Sequence, residues 1–71
     1  MYEDFDQKAS DYQDSIDGMK ELTKGTIKYT EAMLKANEQA MDLINNYKEL
    51  AGQYTIKDGL IIIDEEALAK V

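Results

Sequence analysis

Apolar residues near the start of the chain recur with the spacing of a helix that packs on one side. They alternate at intervals of four and three residues, at Phe5, Ala9, Tyr12, Ile16 and Met19. This alternation is the heptad pattern of a helix that contacts another helix. Ser10 and Gln13 have the spacing of a capping box, yet both also fit exposed positions within a helix that begins near Tyr2. The pattern predicts helix as far as Met19.

The pattern becomes irregular over residues 19–27, and two structures fit it. The first apolar frame runs into threonines, while a shifted frame begins at Leu22. Either one helix continues through a heptad irregularity, or it breaks near 24–26 and folds back as a helical hairpin. In the second case Gly25 would follow a helix end and Thr26 would cap the next helix. We favour the continuous helix because this region lacks proline and further loop residues.

The shifted frame is regular over the middle of the chain, and its apolar face is broad. Its positions are Leu22, Thr26, Tyr29, Met33, Ala36, Ala40, Leu43, Tyr47 and Leu50. More apolar residues lie beside it, at Ile27, Leu34, Met41 and Ile44. So wide a face predicts contact with two helices, or with one helix and the hairpin that follows. An unbroken helix over 2–50 would be about 70 Å long, and such a rod would need partners.

The next stretch contains almost all of the turn and strand signals. Gly52 stands where a glycine commonly ends a helix. Strand-type residues at Tyr54–Lys57 and Leu60–Ile63 flank Asp58-Gly59, a pair that strongly favours a two-residue hairpin turn. Asp64 suits the N-cap of a further helix, and the two glutamates after it suit a helix N-terminus.

Together these signals predict a mainly α chain in three segments. A long amphipathic helical segment occupies 1–51, with a break near 24–26 as the alternative. A short two-stranded β-hairpin occupies 52–63, and 64–71 begins a second helix that we expect to continue in a longer protein. We expect a coiled-coil or helical-bundle homo-oligomer. The predicted helix-packing face consists of Phe5, Tyr12, Ile16, Met19, Leu22, Tyr29, Met33, Ala36, Ala40, Leu43, Tyr47 and Leu50.

Composition narrows the classes of function. The 71 residues include no cysteine, histidine or proline and carry a net charge of −7. Without cysteine and histidine the chain has neither disulfides nor the commonest zinc ligands, and so small a core often relies on oligomerisation. The acidic balance opposes nucleic-acid binding and attraction to an anionic membrane. The longest wholly apolar run, Leu60–Ile63, is far too short to span a bilayer.

Candidate chemistry is sparse. Asp58-Gly59 and Glu65 match the second half of an EF-hand calcium loop, but Tyr54 and Ile56 would occupy the first ligand positions and offer no suitable oxygen. The chain has no histidine or cysteine, and neither Ser10 nor Ser15 has a recognisable base near it that could activate a nucleophile. We therefore expect a non-enzymatic protein with no catalytic residues, metal or cofactor. The expected partners are proteins, either copies of the chain or helices of a parent protein.

Three structural motifs follow one another in the second half of the chain. A helix closes over Leu43–Leu50, a hairpin turns on glycine within Ile56–Ile61, and an acidic helix start follows at Asp64–Leu68. In this order they resemble a recurring segment of phage tail tape measure proteins. The resemblance, which covers less than half of the chain, implies a long helical protein that lies inside the tail tube and sets its length. It also implies a location in the virion tail and no catalytic residues. The alternative to this function is a small self-contained helical protein-interaction module, which would be cytoplasmic.

Overall fold

The computed structural model describes residues 3–71, which form two long helices, a two-stranded β-hairpin and a short third helix. The predicted mainly helical fold with a two-stranded antiparallel hairpin and a short third helix is confirmed. The predicted helix start near Tyr2 lies outside the described residues. The elements are α1 (Glu3–Met19), α2 (Ile27–Asn46), a 3-10 turn (Lys48–Leu50), β1 (Tyr54–Lys57), β2 (Leu60–Ile63) and α3 (Glu65–Lys70).

The helical segment breaks between α1 and α2, so the favoured continuous helix is wrong and the helical hairpin forms instead. Gly25 has a φ of +88°, a left-handed conformation that residues with a Cβ rarely adopt. Thr26 is the N-cap of α2, because its Oγ1 accepts a hydrogen bond from the backbone N–H of Tyr29 at 3.2 Å. The Thr26 hydroxyl also donates to the Thr23 carbonyl at 2.7 Å. A turn at Gly25 and a new helix capped by Thr26 therefore replace the predicted continuous helix.

The second helix also ends before the predicted boundary near residue 51. Its last residue is Asn46, whose side-chain amide donates to the Asp42 carbonyl at 2.7 Å and to the Asp42 carboxylate at 2.8 Å. Such local bonds let asparagine compete with continued helix. Tyr47 is then extended, and the 3-10 turn carries the chain to Gly52, which has a φ of +74°. This change of direction brings the hairpin back onto α2.

The hairpin and the last helix begin where the sequence predicts them. The strands β1 and β2 are antiparallel, with Lys57 opposite Leu60. Asp58 and Gly59 have φ values of 53° and 82°, as a type I′ turn requires. The Asp64 carboxylate caps α3 by accepting a hydrogen bond from a backbone N–H two residues later, at 3.0 Å.

The core lies where α1, α2 and β2 meet, and α3 and the 3-10 turn close it at one end. Phe5 and Tyr47 meet edge-to-face with their ring centroids 5.0 Å apart. On the surface, Lys8 of α1 and Asp42 of α2 form an ion pair at 3.0 Å, which raises the pKa of Lys8. The connected buried residues are Phe5, Tyr12, Ala40, Leu43, Tyr47, Leu50, Ile61, Ile63, Ala67 and Leu68. The described residues have a radius of gyration of 12.0 Å.

Candidate protein-interaction surface

One edge of the hairpin is closed by side chains from both long helices. The Tyr12 hydroxyl donates to the Ile61 carbonyl at 2.7 Å and accepts from the Ile63 N–H at 3.1 Å. The Asn37 amide donates to the Gly59 carbonyl at 2.8 Å, and its oxygen accepts from the Ile61 N–H at 2.9 Å. These contacts occupy the side of β2 that would otherwise take a third strand.

Tyr12 is the more deeply buried of the two side chains that close this edge. Burial raises the pKa of its phenol, and the hydrogen bond from Ile63 opposes that shift without cancelling it. A tyrosine on a heptad seam is predicted to pack, but its position gives no sign that its hydroxyl bonds a strand. Asn37 was likewise missed; its only signal is a polar side chain among apolar neighbours.

The other edge of the hairpin is open. In the observed register, Thr55 and Lys57 direct their backbone groups toward β2, so Tyr54 and Ile56 direct theirs outward. These outward N–H and C=O groups bond to no other residue among 3–71. All of β1 is exposed, and the Ile56 side chain is 66% accessible. Because exposed edges of this kind can accept another strand, β1 is a candidate interaction site.

A second apolar surface lies on α2. Ile27, Leu34 and Met41 recur every seven residues and remain 77%, 57% and 41% accessible. We call these three residues the α2 ridge. Leu34 and Met41 stand one helical turn before and after Asn37, so this part of the ridge borders the hairpin side of α2. These residues lay on the flank of the predicted packing face, and the fold leaves them uncovered.

The predicted packing face itself lies inside the chain. Its members from α1 contact α2 and β2, which explains why the apolar face of α2 is broader than a two-helix seam needs. Eight members are buried: Phe5, Tyr12, Met19, Ala36, Ala40, Leu43, Tyr47 and Leu50. The other four are half-buried: Ile16, Leu22, Tyr29 and Met33. The surface that remains for partners is therefore a different one.

An open apolar groove of about 320 Å³ lies between the end of α1 and the hairpin. Two lysines border it, but each already meets an aspartate: Lys20 with Asp17 at 3.5 Å, and Lys24 with Asp58 at 3.8 Å. Its other lining residues are Ile16, Met19, Leu22, Tyr29, Leu60 and Ile62. The groove offers apolar contact without a free charge that would orient a ligand.

The described part of the chain was also searched for a metal site and for a helix that could span a membrane. Within residues 3–71, no three acidic, histidine or cysteine side chains come together as metal ligands. No described helix is long and apolar enough to cross a membrane. Comparison with family models, curated proteins and solved structures found no match.

Proposed function

We propose that the chain is a structural protein-interaction module that docks a helix of another polypeptide on the α2 ridge. The observation that carries this proposal is that Ile27, Leu34 and Met41 stay exposed in the folded chain, outside its buried core. A seven-residue repeat is the spacing by which one helix packs along another. Each large apolar side chain that becomes fully buried contributes about 1.5–3 kcal/mol before the cost of association.

The charge beside the ridge indicates the chemistry of its partner. Glu31 and Glu38 are exposed, and each follows a ridge residue by one helical turn. The whole chain carries a net charge of −7. A helix with an apolar seam flanked by lysine or arginine would complement this surface and associate faster than a neutral one.

The proposed setting is a phage tail, in which long helices of a tape-measure-like protein would supply the partner. This part of the proposal rests on the resemblance of residues 43–71. It draws support from the formation of a helix end, a glycine-turned hairpin and an Asp64-capped helix in that order. The second candidate is a self-contained module, favoured by the fact that residues 3–71 enclose a core of their own. In either setting the proposed role is structural and non-enzymatic.

Site-specific photo-crosslinking in the cells or virions that contain the protein tests this proposal. A photoreactive phenylalanine analogue at Leu34 is expected to capture a discrete protein. The same analogue at Lys35, which is exposed on the same helix but turned about 100° away, is the matched control. Identical products from both positions, or none from Leu34, would contradict docking on the ridge. Mass spectrometry then separates the settings, since a helical tail protein supports the first and a cellular protein the second.

A further inference from the structure

We propose that β1 pairs with β1 of a second copy of this chain, so that two hairpins form one four-stranded antiparallel sheet about a twofold axis. This inference goes beyond the proposed function, because it concerns a second surface of the module and names a second copy as its partner. It commits to the open strand edge and leaves the α2 ridge free for another protein.

The backbone of β1 is self-complementary for such pairing. Tyr54 and Ile56 direct their N–H and C=O groups outward, and Thr55 lies between them. With Thr55 opposite Thr55 of the second copy, Tyr54 faces Ile56 of that copy. Each of these facing pairs exchanges two backbone hydrogen bonds, as in the hydrogen-bonded pairs of any antiparallel ladder. The twofold arrangement therefore satisfies all of the outward groups of both residues.

The side chains of β1 suit the same register. Tyr54 and Ile56 lie on one face of the hairpin, because they pair with Ile63 and Ile61 in the ladder. Across the twofold axis each tyrosine would pack beside an isoleucine of the second copy, an aromatic and β-branched pair that stabilises sheets. On the other face, Thr55 would meet its own counterpart. Pairing would thus cover the exposed Ile56 side chain without placing a charge in the middle of the interface.

Charge at the two ends of β1 also favours the antiparallel arrangement. At the turn, Asp58 is paired with Lys24, and Lys57 adds a positive charge. At the opposite end, Gln53 accepts a hydrogen bond from the backbone of Asp64, which begins an acidic stretch. Antiparallel pairing places Lys57 opposite Gln53 of the second copy and therefore near that acidic stretch. Parallel pairing would instead place the acidic ends together.

The two edges of the hairpin differ in protection. Natural sheets commonly block exposed edges with proline, bulges, charges or very short strands, and of these β1 has only its length of four residues and the charge of Lys57 at its end. The outer edge of β2 is covered by Tyr12 and Asn37, whereas the middle of β1 has no proline, charge or bulge. The fold thus closes one edge from within and leaves the other available.

The expected dimer is weak. Four residues from each strand form a contact smaller than the standard stable interface, which buries about 1,600 Å². A dissociation constant between about 1 µM and 1 mM is therefore expected. Each copy also carries a net charge of −7, so measurements belong at about 0.15 M salt, which screens repulsion between whole copies.

Sedimentation velocity over about 0.5 µM to 1 mM protein tests the pairing. The wild-type mass is expected to rise from monomer toward dimer, and Ile56→Pro is expected to remain monomeric. Proline removes only an outward N–H at this position, so the hairpin ladder keeps its internal bonds. Should Ile56→Pro fail to fold by circular dichroism, Ile56→Lys decides, because it retains the backbone groups and is expected to weaken the dimer at least tenfold. Leu34→Lys on the ridge is the matched control and should dimerise as the wild type does.

Each contrary result has a distinct meaning. A wild-type chain that stays monomeric throughout overturns pairing with a second copy, and leaves a strand from another protein as the occupant. Dimers that persist in folded Ile56→Pro, or that disappear in Leu34→Lys, overturn the assignment to β1. Photo-crosslinks at Leu34 from a monomeric chain would retain the proposed function while refuting this inference. Dimers that form through β1 without any Leu34 adduct would refute docking on the ridge.

Discussion

Tyr12 joins the first helix to the last strand through a single hydroxyl. Its partners, the Ile61 carbonyl and the Ile63 N–H, lie 49 and 51 residues away along the chain. Both bonds are buried, where a polar group without a partner is costly. The Tyr12 hydroxyl is therefore expected to contribute more to the free energy of unfolding than its apolar surroundings would suggest.

Replacing Tyr12 with phenylalanine should lower the free energy of unfolding by about 1–3 kcal/mol, because two buried backbone groups lose their partner. Urea unfolding measures this change. Tyr29→Phe is the matched control, since the Tyr29 hydroxyl bonds to no other residue among 3–71 and its side chain is half-buried. Equal losses in the two variants would show that the Tyr12 hydroxyl contributes nothing particular.

Alkaline pH should weaken the contribution of Tyr12. Burial raises its pKa in the folded chain above the ordinary value of 10.0, so folding favours the neutral phenol. Its stabilising effect is therefore complete below about pH 10 and is lost as the pH rises through the folded pKa. The difference in unfolding free energy between the wild type and Tyr12→Phe is expected to narrow above about pH 10. Urea titrations at several pH values measure it, and a constant difference would contradict this assignment.

The heptad pattern predicts that Tyr12 packs in the core, but it does not predict the hydrogen bonds that its hydroxyl makes. Heptad spacing identified its side chain as a packing residue, since burial follows a local period. The bonds of Tyr12 and Asn37 to β2 depend on how distant elements meet, and no spacing within the chain encodes that. The sequence pattern placed the residues of the α2 ridge beside the broad apolar face but did not predict that they are exposed. Their exposure depends on which part of that face the hairpin covers, and local spacing does not determine this.

At the scale of elements, the decisive feature is the break between α1 and α2. Gly25 permits the left-handed turn and Thr26 caps the next helix. The sequence pattern allowed this helical hairpin as the alternative to a continuous helix, with the same two residues in these roles. The weaker alternative prevailed because folding back buries the apolar faces of both helices within one chain. The Asp58-Gly59 turn and the Asp64 cap were predicted correctly, since nearby residues determine each of them.

Alanine substitutions distinguish this helical hairpin from a continuous helix. Gly25→Ala should destabilise the chain by about 1–2 kcal/mol because φ is +88° there. Apart from residue 25 itself and its two chain neighbours, no atom lies within 4 Å of the added Cβ, so the cost arises from the local backbone conformation. Gly18→Ala, which lies within α1 and meets nothing within 4 Å, should stabilise by up to about 1 kcal/mol. Thermal unfolding measures both, and stabilisation by both substitutions would indicate an unbroken helix.

The whole molecule is shorter and broader than the sequence pattern suggested. The described residues extend 38 × 21 × 17 Å, whereas an unbroken helix would form a rod of about 70 Å. The expectation of an oligomer depended largely on that rod needing partners. With its main apolar face enclosed, residues 3–71 leave exposed the two smaller surfaces that we propose for association, the α2 ridge and the β1 edge.

Small-angle X-ray scattering at low protein concentration tests this shape. The radius of gyration is expected near 12.0 Å, compared with about 20 Å for a rod of 70 Å. Low concentration keeps the weak pairing of β1 from raising the value. Folded Ile56→Pro measured alongside the wild type is the control for residual association. A value near that of the rod in both samples would refute the enclosed core.

The bonds from Tyr12 to β2 have a consequence for the order in which the chain matures. During translation α1 and α2 leave the ribosome before the hairpin, so the Tyr12 hydroxyl and the Asn37 amide emerge before their partners Ile61 and Ile63 on β2. Until those residues emerge, the part of the apolar surface of α1 and α2 that β2 covers in the folded chain stays exposed. A nascent chain held before residue 60 leaves the ribosome would therefore keep this side of the two helices uncovered and prone to aggregation.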